Sequence, residues 1–208
     1  MDKNLCCDQK HVVFSQYTGT DASFVIPEDV TVIADRAFAG NKTLKNIDLR
    51  NVRYVGAHAF QDCISLESVI MSNVVVIGSG AFEFCRSLRA VTFGGITEIG
   101  DMAFYSCSLL DIPEIPSSLE QIGVGAFSHT SIRRADLHRF EAIPPALFRY
   151  CPSLTHVDIS GAREIGEDAF SFCGSLSDVR FGAVRKICAR AFFKSESFEV
   201  VKMPETLQ

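Results

Sequence analysis

Phenylalanine recurs along this chain at a nearly constant interval. Eight phenylalanines fall 22, 22, 22, 23, 21, 22 and 22 positions apart, and seven of them follow an alanine. They are Phe38, Phe60, Phe82, Phe104, Phe127, Phe148, Phe170 and Phe192. Such an interval is typical of a stacked repeat, in which each unit buries its apolar side against the next one. The interval therefore predicts a single elongated solenoid, which presents an extended surface rather than an enclosed pocket.

Further columns appear when residues are counted from each phenylalanine. An Ile or Val stands five positions before it, and glycine stands four positions before it in five of the eight units. A leucine six positions after it usually opens the pattern L-x-x-V-x-L, whose alternation is that of a strand with one buried face. The columns predict two short parallel strands per unit, a tight turn or short helical turn at the Ala-Phe pair, and a positive φ at the turn glycine.

The fifth unit departs from this pattern. The segment Leu109–Pro116, L-L-D-I-P-E-I-P, carries one extra residue and two prolines, and the following unit is one residue short. Proline lacks the N–H that a strand donates to its neighbour. We therefore expect a defect in the sheet near Ile112–Pro113, and with it a bend in the solenoid.

The repeat resembles the BspA-like leucine-rich repeats, whose consensus is L-x-x-[IV]-x-[LI]-P-x-x-[LV]-x-x-I-G-x-x-A-F-x-x-C-x-x-L. Residues 66–88 match it well, as L-E-S-V-I-M-S-N-V-V-V-I-G-S-G-A-F-E-F-C-R-S-L. The resemblance implies a leucine-rich repeat solenoid, mainly parallel β with short turns or helical turns, in eight coils of about 22 residues. We assign residues 1–23 to an N-terminal cap or flanking segment and residues 24–208 to the repeat domain, with an incomplete last coil.

Net charge and hydropathy disfavour nucleic acid as a partner and a membrane-spanning segment in the chain. The chain has 20 basic and 25 acidic residues, a net charge of −5, which disfavours nucleic-acid binding. No segment reaches the roughly 18 apolar residues of a membrane span, and the first residues lack the apolar stretch of a secretory signal. The sequence alone therefore favours the cytoplasm, whereas the family resemblance favours the cell surface.

Five of the eight cysteines occupy one column, three positions after the repeat phenylalanine: Cys63, Cys85, Cys107, Cys151 and Cys173. Other units place Asn, Thr or Ser there, so we interpret the column as small side chains that hydrogen-bond the backbone of a neighbouring turn. The spacing is not that of a zinc site. Distance alone does not exclude a disulfide between the cysteines of adjacent units. Cys6 and Cys7 form a separate terminal pair that could be reactive or acylated.

No catalytic motif accompanies the repeat. None of the five histidines stands in a known nucleophile motif, and glycine-rich phosphate loops are absent. We predict no enzymatic activity, no cofactor and no metal.

Two surfaces are candidates for binding a partner. One is a mixed-charge patch on the outward side of the L-x-x-V-x-L strands, formed by Arg134, Asp136, His156, Asp158, Asp178 and Arg180. Its charges could instead pair with one another across strands. The alternative is an aromatic column two residues after the repeat phenylalanine, with Phe84, Tyr150 and Phe172, joined by His129 and, one place off, Phe193. Exposed aromatic side chains are often binding anchors, although these could fold back over the coil.

The family resemblance implies a protein-interaction module. BspA-like proteins occur largely in host-associated bacteria and parasitic protists, commonly as surface proteins implicated in adhesion. The expected partner is a protein or a glycan. The alternatives are an intracellular scaffold and a structural component that self-associates through an open C-terminal coil.

Overall fold

The repeat forms a parallel β-solenoid, as a computed structural model of residues 11–195 shows. Each repeat phenylalanine defines one coil, from coil 1 with Phe38 to coil 8 with Phe192, and no helix occurs between residues 11 and 195. The strands are β1 (Val12–Phe14), β2 (Ser23–Val25), β3 (Val30–Ile33), β4 (Asn46–Asp48), β5 (Tyr54–Val55), β6 (Ser68–Met71), β7 (Val76–Ile77), β8 (Ala90–Phe93), β9 (Glu98–Ile99), β10 (Gln121–Ile122), β11 (Arg134–Asp136), β12 (Ala142–Ile143), β13 (His156–Ile159), β14 (Glu164–Ile165), β15 (Asp178–Phe181) and β16 (Lys186–Ile187). The predicted final coil and the Cys6–Cys7 pair lie outside the described residues.

Two sheet faces run along the solenoid, as the two apolar columns predict. The front face carries the L-x-x-V-x-L strands, in the order β2-β4-β6-β8 followed by β11-β13-β15. The back face carries the short strands that precede the glycine column, in the order β1-β3-β5-β7-β9-β10 followed by β12-β14-β16. Neighbouring strands pair in parallel, with successive coils in register.

The repeat phenylalanines form the centre of the core. Rings of successive coils stack with centroids 4.8–6.0 Å apart and interplanar angles of 2–14°. Seven are buried, and Phe192 is partly buried against the same core. At the N-terminal side, Phe14 and Tyr17 each stack on Phe38 at 5.2 Å. A stacked repeat is expected to bury all eight rings, which is confirmed for seven of them and wrong for Phe192 in the last described coil.

A third face, the turn face, contains the turns around these phenylalanines. The N–H of each repeat phenylalanine from Phe38 to Phe170 donates to a carbonyl of the next coil, as Phe60 N does to Ala81 O at 2.7 Å. The residues two before and two after the phenylalanine have positive φ in every coil. Among them only Gly40, Gly80 and Gly125 are glycines. The turns therefore hold ordinary L-residues in the left-handed region, at an intrinsic cost of roughly 1–2 kcal/mol each.

The glycine column has a different role from the predicted one. Its members, such as Gly78, do not have positive φ. A Cβ at Gly78 would lie 2.8 Å from Ala57 N and 2.9 Å from Gly56 C in the preceding coil. The column is glycine because adjacent coils approach each other closely there, and the prediction of a positive φ is wrong.

The predicted defect is present on the front face of coil 5. The segment from Asp111 to Ile115 contains no strand, and its N–H and C=O groups make no backbone–backbone hydrogen bond within residues 11–195. The extra residue turns Ile112 inward, where it is only 2% exposed. Ile112 therefore belongs to the core. Counting eight residues from the preceding repeat phenylalanine predicts the outward side of the strand for it, as for Ser68 and Ala90.

The back face is interrupted one coil later, at Pro144. In regular coils the glycine N–H at this place donates to the preceding coil, as Gly78 N does to Val55 O at 2.8 Å. Pro144 has no N–H to donate. Accordingly β10 and β12 do not pair, whereas the turn face continues across coils 4, 5 and 6 through Phe104 N to Ala126 O and Phe127 N to Leu147 O.

Candidate partner-binding surfaces

The cysteine column is structural. Each thiol donates to the carbonyl of the repeat phenylalanine in the preceding coil, with Sγ to O distances of 3.0–3.1 Å. In coil 8, Ser195 makes the same contact, with its Oγ 2.7 Å from Phe170 O. Burial raises the pKa of the Cys85, Cys107 and Cys173 thiols well above the usual range, and that of Cys151 to about 11. These five thiols are free and buried, so they form no reactive site.

The mixed-charge patch is assembled as predicted. Strand pairing places Arg134, His156 and Asp178 in one row and Asp136, Asp158 and Arg180 in the next. Most of its charges already have partners, however. His156 Nδ1 lies 2.7 Å from Asp178 Oδ2, and an Arg180 guanidinium nitrogen lies 3.4 Å from Asp158 Oδ2.

Asp136 pairs with a residue that the column analysis did not include. Its Oδ1 lies 2.5 Å from His138 Nδ1, and hydrogen bonding by His138 lowers the pKa of the Asp136 carboxyl. His138 lies two residues further along the chain, at the turn that ends the strand, where a short side chain–backbone turn is expected after aspartate. A partner that binds the patch would have to compete with these internal pairs.

The aromatic column forms a continuous row of rings on the turn face. Tyr150 stacks on Phe172 at 4.2 Å and on His129 at 4.5 Å. Edge-to-face contacts extend the row in both directions. We call the set the aromatic edge, and it contains Phe84, Tyr105, His129, Tyr150, Phe172 and Phe193.

Tyr105 completes this row although it lies one residue after the repeat phenylalanine rather than two. Its ring bridges Phe84 at 5.5 Å and His129 at 5.2 Å. The count by columns therefore missed it, because Ser106 occupies the expected place in coil 4. A search for any aromatic residue within two positions of the column would have found it.

The aromatic edge is neither buried nor fully exposed. Five of its rings are half-buried, and Phe193 is 45% exposed. Cationic groups lie over several faces: Arg149 is 5.3 Å from the Tyr150 centroid, and Lys194 is 5.4 Å from that of Phe172. Burial, together with the nearby Arg149 charge, lowers the pKa of His129, so its ring is neutral near pH 7.

A groove runs beside the aromatic edge. Its volume is about 510 Å³, and it combines ring edges with hydroxyl groups and one guanidinium. It is lined by Arg86, Ser106, Ser108, His129, Thr130, Ser131, Tyr150, Pro152 and Phe172. A surface of this composition offers apolar contact and hydrogen bonding at once, as the centres of protein interfaces do.

Two kinds of feature were sought in the part of the molecule that the structure describes. Between residues 11 and 195, no three His, Cys, Asp or Glu side chains cluster in a way that could hold a metal ion. Within the same range, no helix is long and apolar enough to cross a membrane.

Comparison with known proteins gives a consistent set of similarities. A family model described as a BspA type leucine rich repeat region of six copies matches residues 11–133 and again residues 77–199. A leucine rich repeat protein from T. pallidum is 27% identical, with a TM-score of 0.75 over 83% of this chain and 86% of that one. No curated protein matches the chain.

Two more distant structures share the fold alone. A leucine-rich repeat protein from Eubacterium ventriosum is 16% identical, with a TM-score of 0.57 over 89% of this chain and 73% of that one. The pneumococcal vaccine antigen PcpA is 19% identical, with a TM-score of 0.56 over 83% of this chain and 55% of that one.

Proposed function

The chain belongs to the BspA-type leucine-rich repeat family, and on this premise we propose that it is a non-enzymatic protein-interaction module whose partner binds along the aromatic edge. Proteins with leucine-rich repeats generally bind other proteins, and their solenoids are typically interaction scaffolds rather than enzymes. The choice of the aromatic edge rests on the conformation of its residues.

The observation that supports this surface is the left-handed backbone beneath the rings. Phe84, His129, Tyr150 and Phe172 have φ between 57° and 61°. Bulky residues are uncommon in this region, where Gly, Asn and Asp are favoured. Other coils place Gly40 or Asp62 at the same position. Aromatic side chains that sit half-exposed on an unfavourable backbone are the pattern expected where binding, rather than folding, requires them.

The mixed-charge patch is the second candidate. Its residues alternate with buried ones, so they are available without unfolding the chain. Its internal ion pairs weaken the case, because a partner gains little from a charge that is already neutralised by its neighbour. Arg134, which has no ion pair among the described residues, is the member most open to a partner.

Membership of the family supports a finer proposal, in which the interaction is adhesion to a host or to another cell. The partner is then a protein or a surface glycan, since the hydroxyl groups that line the groove hydrogen-bond to either kind of ligand. An intracellular scaffold and a self-assembling component are the alternatives. Adhesion requires the protein to lie on the surface of the cell, whereas a scaffold lies inside it, so the location of the protein in living cells distinguishes the two roles.

The binding surface is tested by two matched variants. One replaces Phe84, Tyr150 and Phe172 with alanine, and the other replaces Asp136 and Asp158 with asparagine. Each purified variant is compared with wild type in a quantitative binding assay on intact host cells and on extracted matrix proteins. We expect the aromatic variant to lose binding and the charge variant to keep it. The reverse result would move the site to the front face.

Adhesion is tested separately, by labelling the surface of intact cells that express the full gene. Access of a membrane-impermeant reagent or a protease to the protein is expected if it acts outside the cell. Protection in intact cells, with labelling only after lysis, would favour the scaffold.

A further inference from the structure

The interruption in coil 5 leaves a cleft on the front face. Its volume is about 440 Å³. One wall is the strand β8, and the other is the proline-containing loop that replaces the missing strand. The lining residues are Val91, Thr92, Phe93, Gly94, Pro113, Glu114, Pro116, Ser117 and Ser118. The cleft is distinct from the aromatic edge, which lies on the turn face.

The wall formed by β8 is an open strand edge. Ala90 N donates to Glu67 O at 3.3 Å, so the backbone groups of Ala90 and Thr92 point toward the preceding coil. Backbone groups alternate in direction along a strand, so those of Val91 and Phe93 point toward coil 5. Within residues 11–195 no backbone hydrogen bond is made from coil 5 to them. Two N–H and two C=O groups therefore face the cleft without a backbone partner.

The side chains at this edge are also less covered than elsewhere. In β6, the equivalent Val69 and Met71 are each 1% exposed. In β8, Val91 and Phe93 are only partly buried, because no paired strand covers them on the side of coil 5. The cleft thus presents the apolar side chains of Val91 and Phe93 together with their backbone N–H and C=O groups, which have the spacing that a neighbouring strand requires.

The opposite wall is held in place and carries one charge. The Arg139 guanidinium donates to the carbonyls of Ser117 and Pro116, which ties the loop to coil 6. Among the described lining residues, Glu114 alone is charged, and its side chain is exposed. The charged side chain exposed in the cleft is therefore an acid, while the Arg139 guanidinium is engaged with the loop carbonyls, so a ligand residue that faces Glu114 is favoured to be basic.

The geometry points to a site for an extended peptide segment of a partner protein, which adds as a strand to the open edge of β8. Its backbone would pair with the N–H and C=O groups of Val91 and Phe93, the mode of recognition known as strand addition. Alternate apolar side chains would pack on Val91 and Phe93. A Lys or Arg between them would face Glu114. This site is independent of the aromatic edge, so either one can fail alone.

The test uses a synthetic pentapeptide, acetyl-Thr-Val-Lys-Val-Thr-amide, with a fluorescent label, and the full chain. Its first controls are two N-methylated forms of the peptide, one methylated at both valines and one at the lysine and the last threonine. Both keep the side chains, and each loses the N–H groups along one edge. In a parallel pair the N–H groups that face β8 are those of the lysine and the threonine, and in an antiparallel pair they are those of the valines. We expect one of the two forms to bind about tenfold or more weakly than the parent, since it lacks the backbone hydrogen bonds to β8. On the protein, peptide binding should slow amide hydrogen exchange at Val91 and Phe93.

Two variants locate the site. Glu114→Lys should weaken binding of the lysine peptide, and Glu120→Lys, an exposed acid of the same coil outside the cleft, should leave it unchanged. Val91→Pro removes one unpaired N–H while the hydrogen bonds between β6 and β8 are kept, and it should weaken binding by a similar factor. Thermal melts check that each variant is folded. If Val91→Pro does not fold, the affinities of the N-methylated peptides and of the Glu114→Lys variant test the proposal.

Three results would overturn the proposal. One is equal affinity for the parent and for both N-methylated peptides, which would exclude strand pairing in either direction. Another is the lack of saturable binding up to millimolar peptide. The last is slowed exchange at Val91 and Phe93 that depends on protein concentration without peptide, which would assign the edge to a second copy of the chain.

Discussion

Replacing Gly78 with alanine tests whether the glycine column sets the distance between coils. The added Cβ would lie 2.8 Å from Ala57 N, 2.9 Å from Gly56 C and 3.0 Å from Val55 O. All three neighbours are backbone atoms, so no side chain can rotate away, and the coils must separate. That movement would stretch the hydrogen bond from Gly78 N to Val55 O, now 2.8 Å long.

The expected loss follows from two opposing effects. Adding a methyl group to a close-packed site costs about 1–3 kcal/mol. Alanine also restricts the unfolded chain, which returns about 0.4–1 kcal/mol. The net destabilisation is about 1–2 kcal/mol, or a decrease of roughly 2–8 °C in Tm for a chain of this size. Only the outer coils have other residues in this column, Ala34 and Cys188, apart from Pro144 at the interruption.

Gly95→Ala is the matched control. Gly95 has no positive φ, and a Cβ there would meet no atom within 4 Å. The same substitution should therefore stabilise the chain by about 0.4–1 kcal/mol, through the unfolded state alone. Urea denaturation of both variants measures the difference. If Gly78→Ala were as stable as Gly95→Ala, close approach of the coils could not be the reason for the glycine column.

The remaining predictions concern the core columns. Phe82→Ala should cost about 3–5 kcal/mol, because the ring is fully buried between two others. Cys85→Ser should cost only about 1 kcal/mol, since Ser195 already makes the equivalent hydrogen bond. Thermal melts compare the two, and equal losses would contradict a purely structural thiol. Because burial raises the pKa of Cys151 to about 11, its contribution should be complete below the unfolded thiol pKa of about 8.5 and decline as pH rises toward 11. Urea midpoints across this range, with Cys151→Ser as control, should show a smaller decline in the variant.

The sequence was sufficient for the fold because each core position repeats in a column. Phe82 and Cys85 have the same surroundings as their equivalents in other coils, so their burial follows from the period alone. The extra residue and prolines near Pro113 likewise predicted the interruption correctly. The bend expected there stays a prediction.

Other features depended on distances between coils, which a sequence period does not contain. The role predicted for Gly78 was wrong because glycine is compatible both with a positive φ and with close contact between coils. The sequence does not distinguish these two reasons for a glycine, whereas the structure does. Ile112 was placed outward because an insertion shifts the alternation by one residue. Tyr105 was missed because side chains from neighbouring positions can converge on one row of rings.

The interruption at coil 5 also gives the solenoid an anisotropic stiffness. Between coils 5 and 6 neither sheet face has paired strands, whereas the turn face and the phenylalanine stack continue, with Phe127 and Phe148 5.7 Å apart. A rod that is continuous along one side and open along the others flexes about its continuous side. The stacked rings are held by apolar contact, so a small rotation between them breaks no hydrogen bond of the stack itself. Bending of the molecule would therefore concentrate at this joint. Because Arg139 of coil 6 holds the coil 5 loop, such bending would move the loop relative to β8 and so widen or narrow the cleft.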